Sequence, residues 1–274
     1  MSESEMSVPQ KGLSEKDFAD LRKAKLLLEN PGYAVKLTNL VGKPIERGMA
    51  LLPKNWSAVV NKAVNISLTK ALEFAVKTMK GTSKSPSREF QHRVGAAVSG
   101  GVGGMFGFGS LIFELPVSTI IMLRSIADIA RHEGENVKSP ETQLACLEVF
   151  ALGGNSKSDD VAETGYYAVR TALAKLMNEA AKYITEKGLI EEGAPVVVKF
   201  IMRIAARYGI IVSEKAAASA IPLIGAISGA AINTIFINHF QDMARGHFTV
   251  RRLERSYGEE FIKQEYDKIF LPKK

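Results

Sequence analysis

The sequence predicts an all-α protein, a multi-helix bundle around a central pair of glycine-rich apolar helices, on three observations. Apolar residues recur at helical spacing over most of the 274 residues. Period-two alternation is absent, and Ile210-Ile211-Val212 is too short to carry a sheet. Two long charge-free segments, residues 94–113 and 216–238, carry glycine at helical intervals. With 46% hydrophobic and 24% charged residues, the chain can bury a core. The expected division is a disordered start over residues 1–13 and a single helical domain over residues 14–274.

Each element follows from local chemistry. Ser14 is placed to cap a helix, with Glu15 and Asp17 in its first turn opposing the dipole. That helix passes Leu26-Leu27-Leu28 and stops at Asn30, before Pro31. A second helix is expected from Tyr33 to Val41, ending at Gly42. A third short piece runs from Pro44 to Pro53. Residues 56–80 form a longer amphipathic helix, with Val59, Ala63, Ile66, Ala71, Phe74 and Met79 near core spacing. A loop follows at residues 81–86. Pro116 predicts a break or kink near Glu114. Ser139-Pro140-Glu141 is a helix start, and residues 153–158 are a polar loop. A helix over 160–187 should end before Gly188, and another over 194–208 before Gly209.

Net charge is +7 and uneven. Residues 11–88 carry fifteen Lys/Arg against six Asp/Glu, whereas residues 133–192 carry six against eleven. The basic third faces water or anionic lipid. Nucleic acid is disfavoured, because the basic residues are not interleaved with stacking aromatics. The single cysteine, Cys146, excludes an intrachain disulfide and suits a reducing, cytoplasmic setting. No signal peptide or lipidation motif is visible.

Gly100, Gly103, Gly104 and Gly107 fall on one side of a helix, and Gly225 and Gly229 repeat the spacing in the second segment. Glycine costs about 1 kcal/mol in a helix interior, so such a face needs close helix packing to compensate. Neither phosphate-loop motif matches this stretch. The two segments are long enough to span a bilayer but rich in small residues, so a buried hairpin and a membrane-inserting hairpin both stay open. Arg93 before the first segment, and Arg245, Arg251, Arg252 and Arg255 after the second, tilt the reading towards an anionic membrane surface.

Candidate polar residues are few. Glu114 lies inside an apolar stretch, Arg124 and Asp128 are four apart and can pair, and Asn233 precedes Asp242 and Arg245, which share a helical face. Together they could form a polar network between the central helices. His239 and Asp242 have ligand-compatible spacing, but two residues do not define a metal site. No metal or other cofactor is expected, and no catalytic residue is assignable. Cys146 sits in an apolar helical stretch as a small core residue.

Several stretches resemble the EcsC family. They are Asn30-Pro31-Gly32 through Glu46, and Gly95 to Gly109 followed by Glu114-Leu115-Pro116 and Leu123-Arg124-Ser125-Ile126-Ala127. Further on come Ser139-Pro140-Glu141, Lys215, Ile221-Pro222, Gly225, Ala230-Ala231-Ile232-Asn233, and Phe240 through Phe248 with Arg252-Leu253-Glu254. The resemblance covers about residues 20–260, although the family often has Asp where Glu114 stands. It implies a bacterial helical protein encoded with an ABC transporter, and supplies no reaction. The expected function is therefore a membrane-associated helical accessory protein, peripheral to or partly inserted at the inner face of the cytoplasmic membrane, with an ABC transporter as a possible partner. A soluble enzyme or ligand-binding domain is the alternative, and a colicin-like membrane-inserting protein the second.

Overall fold

The structure, a computed structural model, describes residues 12–29, 32–42, 44–79, 111–154, 165–187, 194–221 and 227–271. Among these there are ten α-helices and no strand, consistent with an all-α bundle. They are α1 (Glu15–Glu29), α2 (Tyr33–Val41), α3 (Ile45–Leu51), α4 (Trp56–Met79), α5 (Leu111–His132), α6 (Pro140–Glu148), α7 (Tyr166–Lys187), α8 (Pro195–Ala220), α9 (Ile227–Tyr257) and α10 (Glu259–Lys268). Buried residues from every helix join one hydrophobic cluster. The long α9 touches α1, α2, α5, α8 and α10, while α4 packs between α5 and α8.

Local signals place the helix ends well. Ser14 Oγ accepts the Asp17 N–H at 3.1 Å, and Ser139 Oγ accepts the Thr142 N–H at 3.2 Å with Pro140 in the first turn. Gly32 and Gly42 flank α2 in the left-handed conformation (φ 58° and 64°), where a side chain would be strained.

Three expectations are corrected. The proposed stop before Gly209 is absent, because α8 runs through to Ala220. The glycine penalty of about 1 kcal/mol is small beside the burial of Tyr208, Ile211 and Val212, worth roughly 1.5–3 kcal/mol each. No break falls at Glu114 either: α5 is continuous through Pro116. Proline so near the helix start removes only the bond to the residue-112 carbonyl, and Leu115 and Pro116 are buried. Residues 216–238 are not one helix, since they divide between the end of α8 and the start of α9. Pro222, whose ring disfavours helix at Ile221, sits at the division.

On α4, Ala63 and Ala71 are buried, but Val59, Ile66 and Phe74 stand at the edge of the buried arc. The centre of that arc is Val60, Val64, Leu68 and Leu72, widened because α4 meets two helices. Residues 1–11, the glycines at 100, 103, 104 and 107, Arg93 and Gly225 lie outside the described residues, and Gly229 falls in the first turn of α9. Glycine-mediated contact occurs elsewhere. Gly48 of α3 lies directly against the backbone of Ala217 on α8, and Gly246 of α9 against Leu28 and Ala24 of α1.

Candidate functional site

Of the six residues expected to form a polar network, the structure joins Asp242 and Arg245, an exposed pair at 2.9 Å. Glu114 and Asp128 take partners outside the six. Glu114 Oε1 accepts a hydrogen bond from Lys215 Nζ at 2.9 Å, and this ammonium also stands 4.6 Å from the centre of the Phe236 ring. Lys215 is buried while Glu114 is about a third exposed, so the pair closes the seam between α5, α8 and α9. Asp128 pairs with Arg131 on the surface, and Arg124 lies over the Phe74 ring of α4. Asn233 is half-buried on α9.

His239 and Asp242 do not act as joint ligands. His239 is buried against the rings of Tyr33 and Phe240, while Asp242 holds Arg245. Among the described residues no cluster of three or more potential ligands could hold a metal. Among the described residues His239 makes no side-chain hydrogen bond, and burial, then Lys36, pushes its pKa down to about 3 against a weaker opposing contact with the Leu152 backbone.

The arginines after the second apolar segment pair with acidic groups of the fold. Arg251 donates to Glu135 Oε1 at 2.8 Å, and Arg255 also reaches Glu135 and the Glu133 carbonyl. Arg252 bonds Glu133 and Asp20 at 2.8 Å and Asp17 at 3.2 Å. Burial alone would raise the Glu135 pKa, but Arg251, Arg255 and Thr142 hold it below the ordinary carboxylate value. Arg251, Arg252 and Arg255 thus have acidic partners within the fold. They tie the C-terminal half of α9 to α1 and to the loop between α5 and α6.

One buried polar chain escaped sequence reasoning. Glu148, at the end of α6, places Oε2 3.7 Å from Nε2 of His247 on α9. His247 Nδ1 is 3.1 Å from the Tyr166 hydroxyl at the start of α7. Arg170, one turn on, donates to that hydroxyl at 3.3 Å and grips Glu254 of α9 with two bonds, at 2.6 and 3.0 Å. The Tyr167 hydroxyl also donates to Glu254, at 3.0 Å. Glu29 of α1 accepts from the Tyr166 N–H and from the Tyr266 hydroxyl of α10. The available signal was a single carboxylate, Glu148, in the apolar run from Leu144 to Leu152.

A further surface feature lies on α2 and α3, which touch each other. Tyr33, Leu37 and Val41 of α2 face the core, which turns Val35 (62% exposed), Lys36, Asn39 and Leu40 outward. On α3, Ile45 and Gly48 pack inward and leave Arg47 and Leu51 (56% exposed) one turn apart on the outer face. Lys54 is exposed and Trp56 half-buried at the start of α4. Residues 32–62 hold five Lys/Arg against one Glu.

Among the described residues these features define an all-helical protein with a buried polar chain and an exposed basic, apolar face on α2 and α3. The chain matches the model of the EcsC protein family over residues 18–253 and belongs to that family. No curated protein and no solved structure matches it.

Proposed function

We propose that the protein is a membrane-peripheral helical accessory protein that docks on anionic lipid at the inner face of the cytoplasmic membrane through α2, α3 and the start of α4. The observation that carries this reading is the coincidence of outward Val35, Leu40 and Leu51 with Lys36 and Arg47 on two short, adjacent helices and Lys54 in the turn that follows them. An amphipathic helix lying in the headgroup plane needs such a composition, with a tryptophan nearby at the boundary. Each basic side chain near an anionic surface contributes about 1 kcal/mol, and each large apolar side chain taken from water roughly 1.5–3 kcal/mol. Among the described residues no helix is long and apolar enough to cross a membrane, so the docking proposed is to the surface. An ABC transporter in the same membrane is the partner class that the family resemblance implies.

Sedimentation with vesicles tests the reading. The full chain should pellet with phosphatidylglycerol-containing vesicles and much less with phosphatidylcholine alone. Val35→Ser with Leu51→Ser, or Lys36→Glu with Arg47→Glu, should each reduce binding at least tenfold while far-UV circular dichroism is unchanged. Equal binding by parent and both variants would remove this face as the docking surface. Binding by no form would remove the lipid reading altogether.

A further inference from the structure

Glu148 and His247 stand 1% and 0% exposed, and among the described residues nothing donates a hydrogen bond to either carboxylate oxygen or occupies Nε2 of the imidazole. A carboxylate in that position lacks both water and a donor, which is the costly arrangement for an ionised group. The surrounding charges are already matched. Arg170 of α7 is held by Glu254 of α9, and Arg251 of α9 by Glu135 from the loop before α6. The other facing groups, Tyr166 of α7 and Tyr266 of α10 beyond it, are phenols whose ionisation burial pushes far upward, and Glu29 of α1 reaches only their outer side. The Glu148–His247 couple is therefore electrically neutral only while it carries one proton.

We propose that Glu148 and His247 form a proton-dependent latch between α6 and α9, closed while the pair holds one proton and released when that proton is lost or a second is gained. Losing the proton leaves an uncompensated carboxylate in a site shut from water. Gaining a second leaves an imidazolium beside Arg170 and Arg251. Either charge is relieved by letting water in, and the elements that must part to admit it are α6 and the N-terminal turns of α7. Tyr166 transmits the event, because its hydroxyl joins His247 to Arg170 and its ring packs on Tyr167, Tyr266 and His247. The direction of the titration agrees. Burial raises Glu148 from 4.5 to about 7, and burial with Arg170 and Arg251 holds His247 well below 6.5.

Hydrogen exchange on the full chain, expressed as protection factors between about pH 4.5 and about pH 9, reads the latch. An opening that releases one proton makes protection in α6 and the first turns of α7 fall by up to about tenfold per pH unit as pH rises from the ordinary 4.5 towards about 7, and level off above it, while α4 and the centre of α8 stay unchanged. Glu148→Gln, which keeps the shape and cannot ionise, should abolish that slope. A slope that persists in Glu148→Gln, or flat protection in the parent, overturns the proposal. Should Glu148→Gln fail to fold, the carboxyl carbon resonance of Glu148 in the parent decides. An apparent pKa near 7 upholds the latch, and one near the ordinary 4.5 removes it.

Discussion

Replacing Gly48 with alanine separates intrinsic helix propensity from tertiary packing, because the two act in opposite directions at this site. Alanine is the better helix former by about 1 kcal/mol. A Cβ built on Gly48 would lie 2.1 Å from the carbonyl oxygen of Ala217 and 2.6 Å from its carbon. Both are backbone atoms of α8, so no rotamer change gives relief. Restoring a contact of 3.0 Å or more requires α3 to retreat from α8 by about 1 Å, and a gap of that size forfeits roughly a quarter to a half of each dispersion contact at the interface. Overpacking costs about 1–3 kcal/mol, occasionally more, and a clash this close with rigid backbone falls in the upper part of that range, about 2–3 kcal/mol. After the propensity gain, Gly48→Ala is expected to be destabilising by about 1–2 kcal/mol, which for a chain of this size lowers the melting temperature by roughly 2–8 °C.

Gly209→Ala is the matched control. Its Cβ would meet only Asn61 Oδ1, at 3.9 Å, an ordinary contact, so the substitution should stabilise by up to about 1 kcal/mol. Urea midpoints at unchanged m-value measure both. If Gly48→Ala leaves the midpoint where it is or raises it, α3 does not rest on α8 through this glycine, and the packing argument fails.

Three further outcomes follow from the buried and paired charges. His239, whose folded pKa is depressed from 6.5 to about 3, contributes stability that is present above 6.5 and lost as pH falls towards 3; the full difference is roughly 5 kcal/mol, and His239→Phe should flatten the acid limb of a urea-midpoint profile. Lys215→Met should destabilise by about 1–3 kcal/mol, because it strips Glu114 of its ammonium partner at a partly covered site, and Glu114→Gln added to it should recover much of the loss in a double-mutant cycle. Arg252→Gln breaks contacts to Asp17, Asp20 and Glu133 and should lower thermal stability by roughly 1–2 kcal/mol, without weakening vesicle binding if this arginine serves the fold. A loss of vesicle binding at unchanged stability would instead return it to the lipid-facing role that its place after the apolar segment suggests.

Signals contained within one helical turn were legible in the chain. Ser14 and Ser139 mark helix starts, Gly42 an end, and Pro53 a boundary, because a cap or a missing N–H acts on backbone groups only a few residues away. The helical class and the EcsC membership were also readable, the first from periodicity and the second from short stretches in a fixed order. Packing decided the rest. Gly209 looks like a terminator locally, yet burial of its neighbours carries α8 eleven residues further, to Ala220. Arg251, Arg252 and Arg255 show no partner in the local sequence, and Glu133, Glu135, Asp17 and Asp20 are brought to them from distant positions only by the fold. His247 has no special context in sequence. It gains one only where Tyr166, 81 positions away, and Glu148 close around it, because desolvation and charge pairing depend on everything within a few ångströms in space and not on what is adjacent along the chain.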